Sequence, residues 1–211
     1  MNYTQLVASK TTANSISAWL NWDLAPVTDI LAEAEAHLYS KLRVQAMKTP
    51  ATGTIALNAL NLSFPTDYLA PISFRRIGAS AGVIEIFDSQ QMEERNCIDS
   101  TGNFIKSVPT ECQIIGDPAI AYFNVQSDAA YPYRLIYYAR KAALSPSNLT
   151  NFLTNRYPNM LRAACLFRGF DFKKEYEASD RYAKQLQMLI YDANAEYDMG
   201  ESINRFETYG T

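Results

Sequence analysis

The strongest constraint in the chain is the helical stretch from about Asn148 to Met199. Leu149, Phe152, Leu153, Tyr157, Met160, Leu161, Ala164 and Phe167 recur at three- and four-residue steps, the mark of helices that bury one face. Asn148 is well placed to cap the first of them, because its side chain can accept from an orphan first-turn N–H. Pro158 inside an unbroken helix would cost about 3 kcal/mol. The spacing therefore predicts a short helix over 149–156, a kink at Tyr157 and a longer helix from Pro158. A break at Arg168-Gly169-Phe170-Asp171 then turns the chain into an antiparallel last helix over about 172–198. Tyr176, Ala183, Leu186, Ile190, Ala193 and Tyr197 form its core stripe, with Lys173, Lys174, Glu177, Asp180, Arg181 and Lys184 on a mixed-charge outer face. Gly200 is expected to stop it, which leaves 201–211 as a polar tail.

The apolar faces of this hairpin need cover, and the N-terminal residues supply it. Residues 3–20 read as a helix broken around Thr11-Thr12. The next helix follows Asp23, with Pro26 in its first turn, where the missing N–H costs nothing. Val27, Ile30, Leu31, Ala34, Leu38 and Leu42 share its buried face, and Glu33, Glu35 and Lys41 fall on other faces. Thr49-Pro50-Ala51-Thr52-Gly53 breaks the helical period. Strand-like runs follow at 54–57, 60–64, 72–77, 83–87, 111–115, 119–125 and 134–139, with a short helix at 89–95 and a turn at Gly116-Asp117-Pro118. The expected fold class is α+β: an antiparallel helical bundle with an inserted small, mostly antiparallel β-sheet subdomain. Its parts are 1–48 (N-terminal helices), 49–144 (β-rich insertion), 145–200 (C-terminal helices) and 201–211 (tail).

Candidate chemistry is sparse. Of 211 residues, 48% are apolar, enough for a substantial core. A net charge of -3 with no Lys/Arg run argues against a dedicated nucleic-acid grip, which normally carries a clustered basic stripe. Cys97, Cys112 and Cys165 are odd in number and lack C-x-x-C spacing, which argues against a disulfide framework and a zinc site and for reduced thiols. The N-terminus shows no signal-peptide pattern, and no run of about 18 apolar residues predicts a membrane span. His37, the only histidine, lies one turn from Glu33, with no H-E-x-x-H or G-x-S-x-G motif anywhere, so a structural role is expected. Glu93 and Glu94 diverge by about 100° on a helix and cannot converge on one substrate. The loop from Gly78 to Gly82 lacks the G-K-[ST] ending of a phosphate loop. No catalytic, cofactor-binding or metal-ligating residue is expected, and the chain is read as non-enzymatic. Tyr137-Tyr138, in a strand without interleaved Arg or Lys, suit core and interface packing. Phe206 and Tyr209 stand in a polar tail with no local core; they either fold back or anchor a partner.

Four ordered stretches carry a resemblance. They are 18-AWLNWD-23 with 28-TDILAEAEAHL-38 and Leu42-Arg43; 64-FPTDYL-69; Cys112 to Phe123 with Gly116 before an alternating strand; and Arg134 to Ala139, then Leu144-Ser145 and 150-TNFLTNRYP-158. In this order and spacing the chain resembles the phage adaptor proteins, the head-to-tail connector or head-completion components beneath the portal of tailed bacteriophages. Trp22 and Phe64 depart from that pattern, and the loops around Gly78 and Ser100 are longer.

The resemblance implies a structural virion protein: a homo-oligomeric ring, usually of twelve subunits, between the portal protein and a tail or nozzle protein. Genomic DNA would pass through the ring without sequence-specific binding, and no membrane is involved. Such a protein is made in the host cytoplasm and ends in the virion neck. The C-terminal segment would reach the portal, with Phe206, Tyr209, Arg205 and Ile203 as partner-binding residues, and the β insertion would face the tail. The alternative is a non-viral protein- or ligand-binding module that uses the β insertion as its pocket.

Overall fold

The computed structural model describes residues 1–208, with side chains to residue 195. The fold is mixed α+β. It contains helices α1 (Tyr3–Leu6), α2 (Ile16–Trp19), α3 (Val27–Lys41), α4 (Ser89–Arg95), α5 (Phe152–Arg156), α6 (Pro158–Phe172) and α7 (Tyr176–Thr208). Its strands are β1 (Lys48–Ile55), β2 (Asn61–Ser63), β3 (Tyr68–Arg76), β4 (Gly82–Val83), β5 (Glu85–Phe87), β6 (Lys106–Ser107), β7 (Glu111–Ile115), β8 (Ile120–Phe123), β9 (Gln126–Ser127) and β10 (Tyr131–Ala139). The chain divides into two compact units: Met1–Ala46 with the chain from Lys141 onward, and Met47–Arg140.

In the helical unit, the expected N-terminal helix is replaced by two single turns. The Ser/Thr-rich stretch between them bonds to itself: Ser9 Oγ lies 2.8 Å from Thr11 Oγ1, and Ser15 Oγ donates to Ser9 O at 2.9 Å. Such local bonds compete with helical pairing. Ser15 then caps α2 by accepting from Ala18 N. On α3, Ile30, Leu31, Ala34 and Leu38 are buried at the expected spacing. Glu35, expected on another face, is buried too.

Asn151, not Asn148, caps α5, accepting from Leu153 N and Thr154 N. Asn148 instead donates its amide to Ala142 O and Ala143 O. Tyr157 breaks the helical path, and Pro158 opens α6, the position where proline fits.

Helix α6 does not break at 168–171. It continues through Gly169 to Phe172, because Gly169 serves a close contact. A Cβ there would lie 2.5 Å from Leu20 Cδ2 and 3.0 Å from Cγ. The reversal comes at Lys173-Lys174-Glu175, with Lys174 at φ 60. Lys173 Nζ ties it down, 2.7 Å from Glu175 Oε1 and 3.3 Å from Leu20 O. Helix α7 then returns along α6: Tyr182 stacks on Phe170 at 5.6 Å and 4°, and Ser179 Oγ donates to Phe167 O. Its buried stripe is Ser179, Leu186, Ile190 and Ala193. Tyr176, expected in the stripe, is 62% exposed, one turn before the stripe begins. Gly200 does not end α7, which runs on to Thr208. One interior glycine costs only about 1 kcal/mol.

The β unit holds two four-stranded sheets, in the orders β1-β10-β3-β4 and β2-β8-β7-β5, and a two-stranded β6-β9 pair. Pairing is antiparallel except at β5–β7 and β6–β9. Strand β10 lies between β1 and β3 and turns Tyr131, Tyr133, Leu135, Tyr137 and Ala139 inward. These meet Phe74, Phe123, Cys112 and Ala121 in one core. Phe74 packs edge-on to Phe64 and to Tyr133, each at 5.5 Å.

The helical period is broken at 49–53 as expected, and this stretch already belongs to β1. An edge strand accommodates Pro50, and Gly53 lies opposite Tyr133, whose ring covers the space a Cβ would need. The turn before β3 is locked by Asp67: its carboxylate accepts from Tyr137 Oη at 2.8 Å, and its carbonyl accepts from Arg140 N at 2.7 Å.

Gly169→Ala should destabilise the protein by about 1–3 kcal/mol in chemical denaturation, through overpacking against Leu20. In a Leu20→Ala background that added cost should vanish, so the double-mutant cycle reports a coupling of similar size.

Candidate assembly surfaces

The groups that chemistry would need are built into packing. His37 sits edge-on to the Phe167 ring at 5.7 Å, with Nδ1 3.4 Å from Arg168 Nη2. Burial, then the charges of Arg168 and Lys41, lower its pKa, so the ring is neutral at pH 7. Arg168 Nε lies 3.9 Å from Glu33 Oε2. The cysteines are unpaired thiols; Cys112 and Cys165 are buried and Cys97 is exposed. Burial pushes the Cys112 thiol up to about 12. Among the described residues, no group of three or more His, Cys, Asp or Glu side chains is placed to hold a metal ion. Nor is any described helix long and apolar enough to cross a membrane.

Glu35 is the carboxylate that sequence reasoning missed. It is 3% exposed, and its oxygens accept from Leu144 N at 3.0 Å and Asn151 Nδ2 at 2.7 Å. Its neighbours in sequence, Ala34 and Ala36, are small, which is the only signal that this turn of α3 can lie close to other backbone. Asn194 on α7 makes a second clamp: Oδ1 accepts from Arg43 N at 2.8 Å, and Nδ2 donates to Lys41 O at 3.1 Å. It thereby satisfies groups at the C-terminal end of α3 that the helix leaves open.

Three open surfaces stand out among the described residues. In the β unit, a polar cleft of about 490 Å³ is lined by Thr66, Tyr68, Asp117 and Arg140 among others. In the helical unit, a more apolar groove of about 400 Å³ runs along His37, Phe167, Leu186 and Ile190. Beside it, α7 exposes Met188 (68%) and Tyr191 (72%), which are one turn apart and so share a face. Neither was singled out by periodicity, although both fall off the buried stripe. Of the expected partner-binding residues, Tyr209 lies outside the described residues. Ile203, Arg205 and Phe206 lie on α7, but their side chains are outside the described part.

Burial raises the Glu35 pKa above its ordinary 4.5, and the hydrogen bonds from Leu144 and Asn151 only partly oppose it. The folded state therefore holds a proton in a window where the unfolded state has lost it. Stability from this group is complete below 4.5 and falls as pH rises through the raised value. Denaturation measured across that window should show the decline in the native chain, and Glu35→Gln should flatten it. Glu35→Ala, which leaves the Leu144 and Asn151 donors unpaired, should cost about 1–3 kcal/mol at neutral pH.

No curated protein matches the chain. The family model described as SU10 adaptor protein matches residues 1–205, across both the helical and the β unit. With almost its whole length matched, and with the motif order of the phage adaptors, the chain belongs to the SU10 adaptor protein family.

Proposed function

We propose that the protein is a head-to-tail adaptor of a tailed phage, assembled as a ring of about twelve subunits between the portal and a tail or nozzle protein. The observation that carries this reading is the family match over residues 1–205. In this reading the helical unit is an antiparallel bundle packed beside its copies, and the β unit faces the tail. Genomic DNA passes through the centre without sequence-specific contact. The chain is made in the host cytoplasm and resides in the virion neck. Its work is assembly and not turnover.

Helix α7 is the portal-reaching element. Its 33 residues, continuous to Thr208, give a span of about 50 Å at 1.5 Å per residue. The exposed Met188 and Tyr191 suit contact with a neighbour, since Met and Tyr are enriched at interfaces. Ile203, Arg205, Phe206 and Tyr209 are the portal contacts. Deleting residues 201–211 should abolish portal binding in a pull-down or by mass photometry, while the circular dichroism of the remaining chain stays folded. Undiminished binding by the truncated chain refutes this role for the segment.

A further inference from the structure

The chain crosses from one sheet of the β unit to the other between β4 and β5, and it leaves a gap behind it. Ile84 N donates to Phe74 O at 2.9 Å, which continues the β3–β4 pairing by one residue. From Glu85 on, the chain pairs in parallel with β7. Glu85 N donates to Thr110 O at 2.8 Å, and Ile86 and Phe87 stand beside Cys112 and Gln113. Strand β3 has β4 as a ladder partner only at Arg75 and Arg76. Its earlier residues have β10 on one side and no strand on the other. Between the diverging strands lies the cleft of about 490 Å³. Leu69 and Pro71 of β3, Ile86 and Phe87 of β5, and Ile114 of β7 line it, together with the exposed Asp117 and Arg140.

Two observations say what fits there. In a parallel ladder alternate residues address the same neighbour. Glu85 and Phe87 face β7, so the N–H and C=O of Ile86 point along the open edge. Ile84 and Ile86 also share one face of the strand, the face toward the core. Ile84 is 2% exposed, whereas Ile86, beside the fully buried Cys112, is 37% exposed. A free donor and acceptor next to an uncovered inward-facing isoleucine is what an added strand satisfies, with main-chain bonds to one and an alternate side chain over the other. The β3 wall is the poorer edge, since Pro71 has no N–H and Ile72 is skipped in the register with β10. Among the described residues, the other outer strands of the two sheets are no source for such a segment. Strand β1, 48-KTPATGTI-55, has Ile55 as its one large apolar side chain, and Ile55 is in the core of its own subunit. Strand β2 has three residues, with Leu62 against that core, and β4 has two.

We infer that β5 is a docking edge for an extended segment of the tail-side protein. That segment exchanges main-chain bonds with Ile86 and lays an apolar side chain on Ile86 and Ile114, with charged residues beyond it meeting Asp117 and Arg140. The inference rests on the adaptor reading for the identity of the partner.

The test is amide hydrogen exchange of the full-length chain on its portal, with and without the purified tail or nozzle protein of the same phage. Without that protein, the Ile86 amide should exchange at least about tenfold faster than the Phe87 amide, which faces β7. With it, Ile86 exchange should slow at least about tenfold. Ile86→Pro removes the free N–H where an edge strand tolerates proline, so it should weaken tail-protein binding at least about tenfold and leave portal binding and circular dichroism unchanged. Ile86→Val, which keeps the N–H and an apolar side chain, should bind as the native chain does. Should the proline variant unfold, exchange in the native chain still decides. Tail protein that binds while Ile86 exchanges freely, or that binds Ile86→Pro as tightly as the native chain, overturns this contact alone. So does portal binding without tail-protein binding. Slowing of Ile86 by self-association, with no tail protein present, assigns the edge to a second copy and overturns the partner. A chain that binds neither protein overturns the adaptor reading, and this partner with it.

Discussion

The helical unit is discontinuous in sequence, and the Glu35 carboxylate is the interaction that closes it. Leu144 and Asn151, its two donors, lie 109 and 116 residues further along the chain. Burying an unpaired carboxylate would be costly. Here its lone pairs are used by one backbone N–H and one side-chain amide, so α3 can lie flush against the segment that leads into α5. Asn151 serves twice, since its side-chain oxygen also caps that helix. At the far end of α3, Asn194 satisfies the opening groups in the same way. The apolar stripes of α3, α6 and α7 supply the burial, and these polar clamps select one register of it.

The β unit reaches uniqueness by another route. Its core is aromatic, with Phe64, Phe74, Phe123 and Tyr133 in tilted and edge-on contacts that fix ring orientation. Asp67 ties the turn before β3 to β10. The few charged residues within the strands of the β1-β10-β3-β4 sheet, Lys48, Arg75, Arg76 and Arg134, are all basic.

Much of the fold was legible because it depends on local period. The buried faces of α3 and α6, the turn at Gly116, the short helix at 89–95 and the strand at 134–139 all follow from residue types and spacing along one element. The misreadings share a cause. Gly169 and Gly200 were taken as helix stops, and the strand expected from residue 54 was started too late, after Pro50 and Gly53, because glycine and proline punctuate local structure. At Gly169 the residue is demanded by Leu20, which is distant in sequence. At Pro50 an edge position removes the penalty. Glu35 was placed outside for the same reason: its charge is local information, and its partners are not. The ordered motifs that carried the family resemblance fared better, since order and spacing survive without knowledge of contacts.

By itself the sequence determined the element types, the α+β class and the adaptor family, because periodicity, capping residues and motif order are all written along one dimension. Only the tertiary structure decided that Glu35 is a buried clamp, that Gly169 is a contact and not a hinge, and that β5 pairs with β7 and not with β3. Each of these depends on which residues, far apart in the chain, are brought within a few ångströms. No one-dimensional pattern specifies that distance.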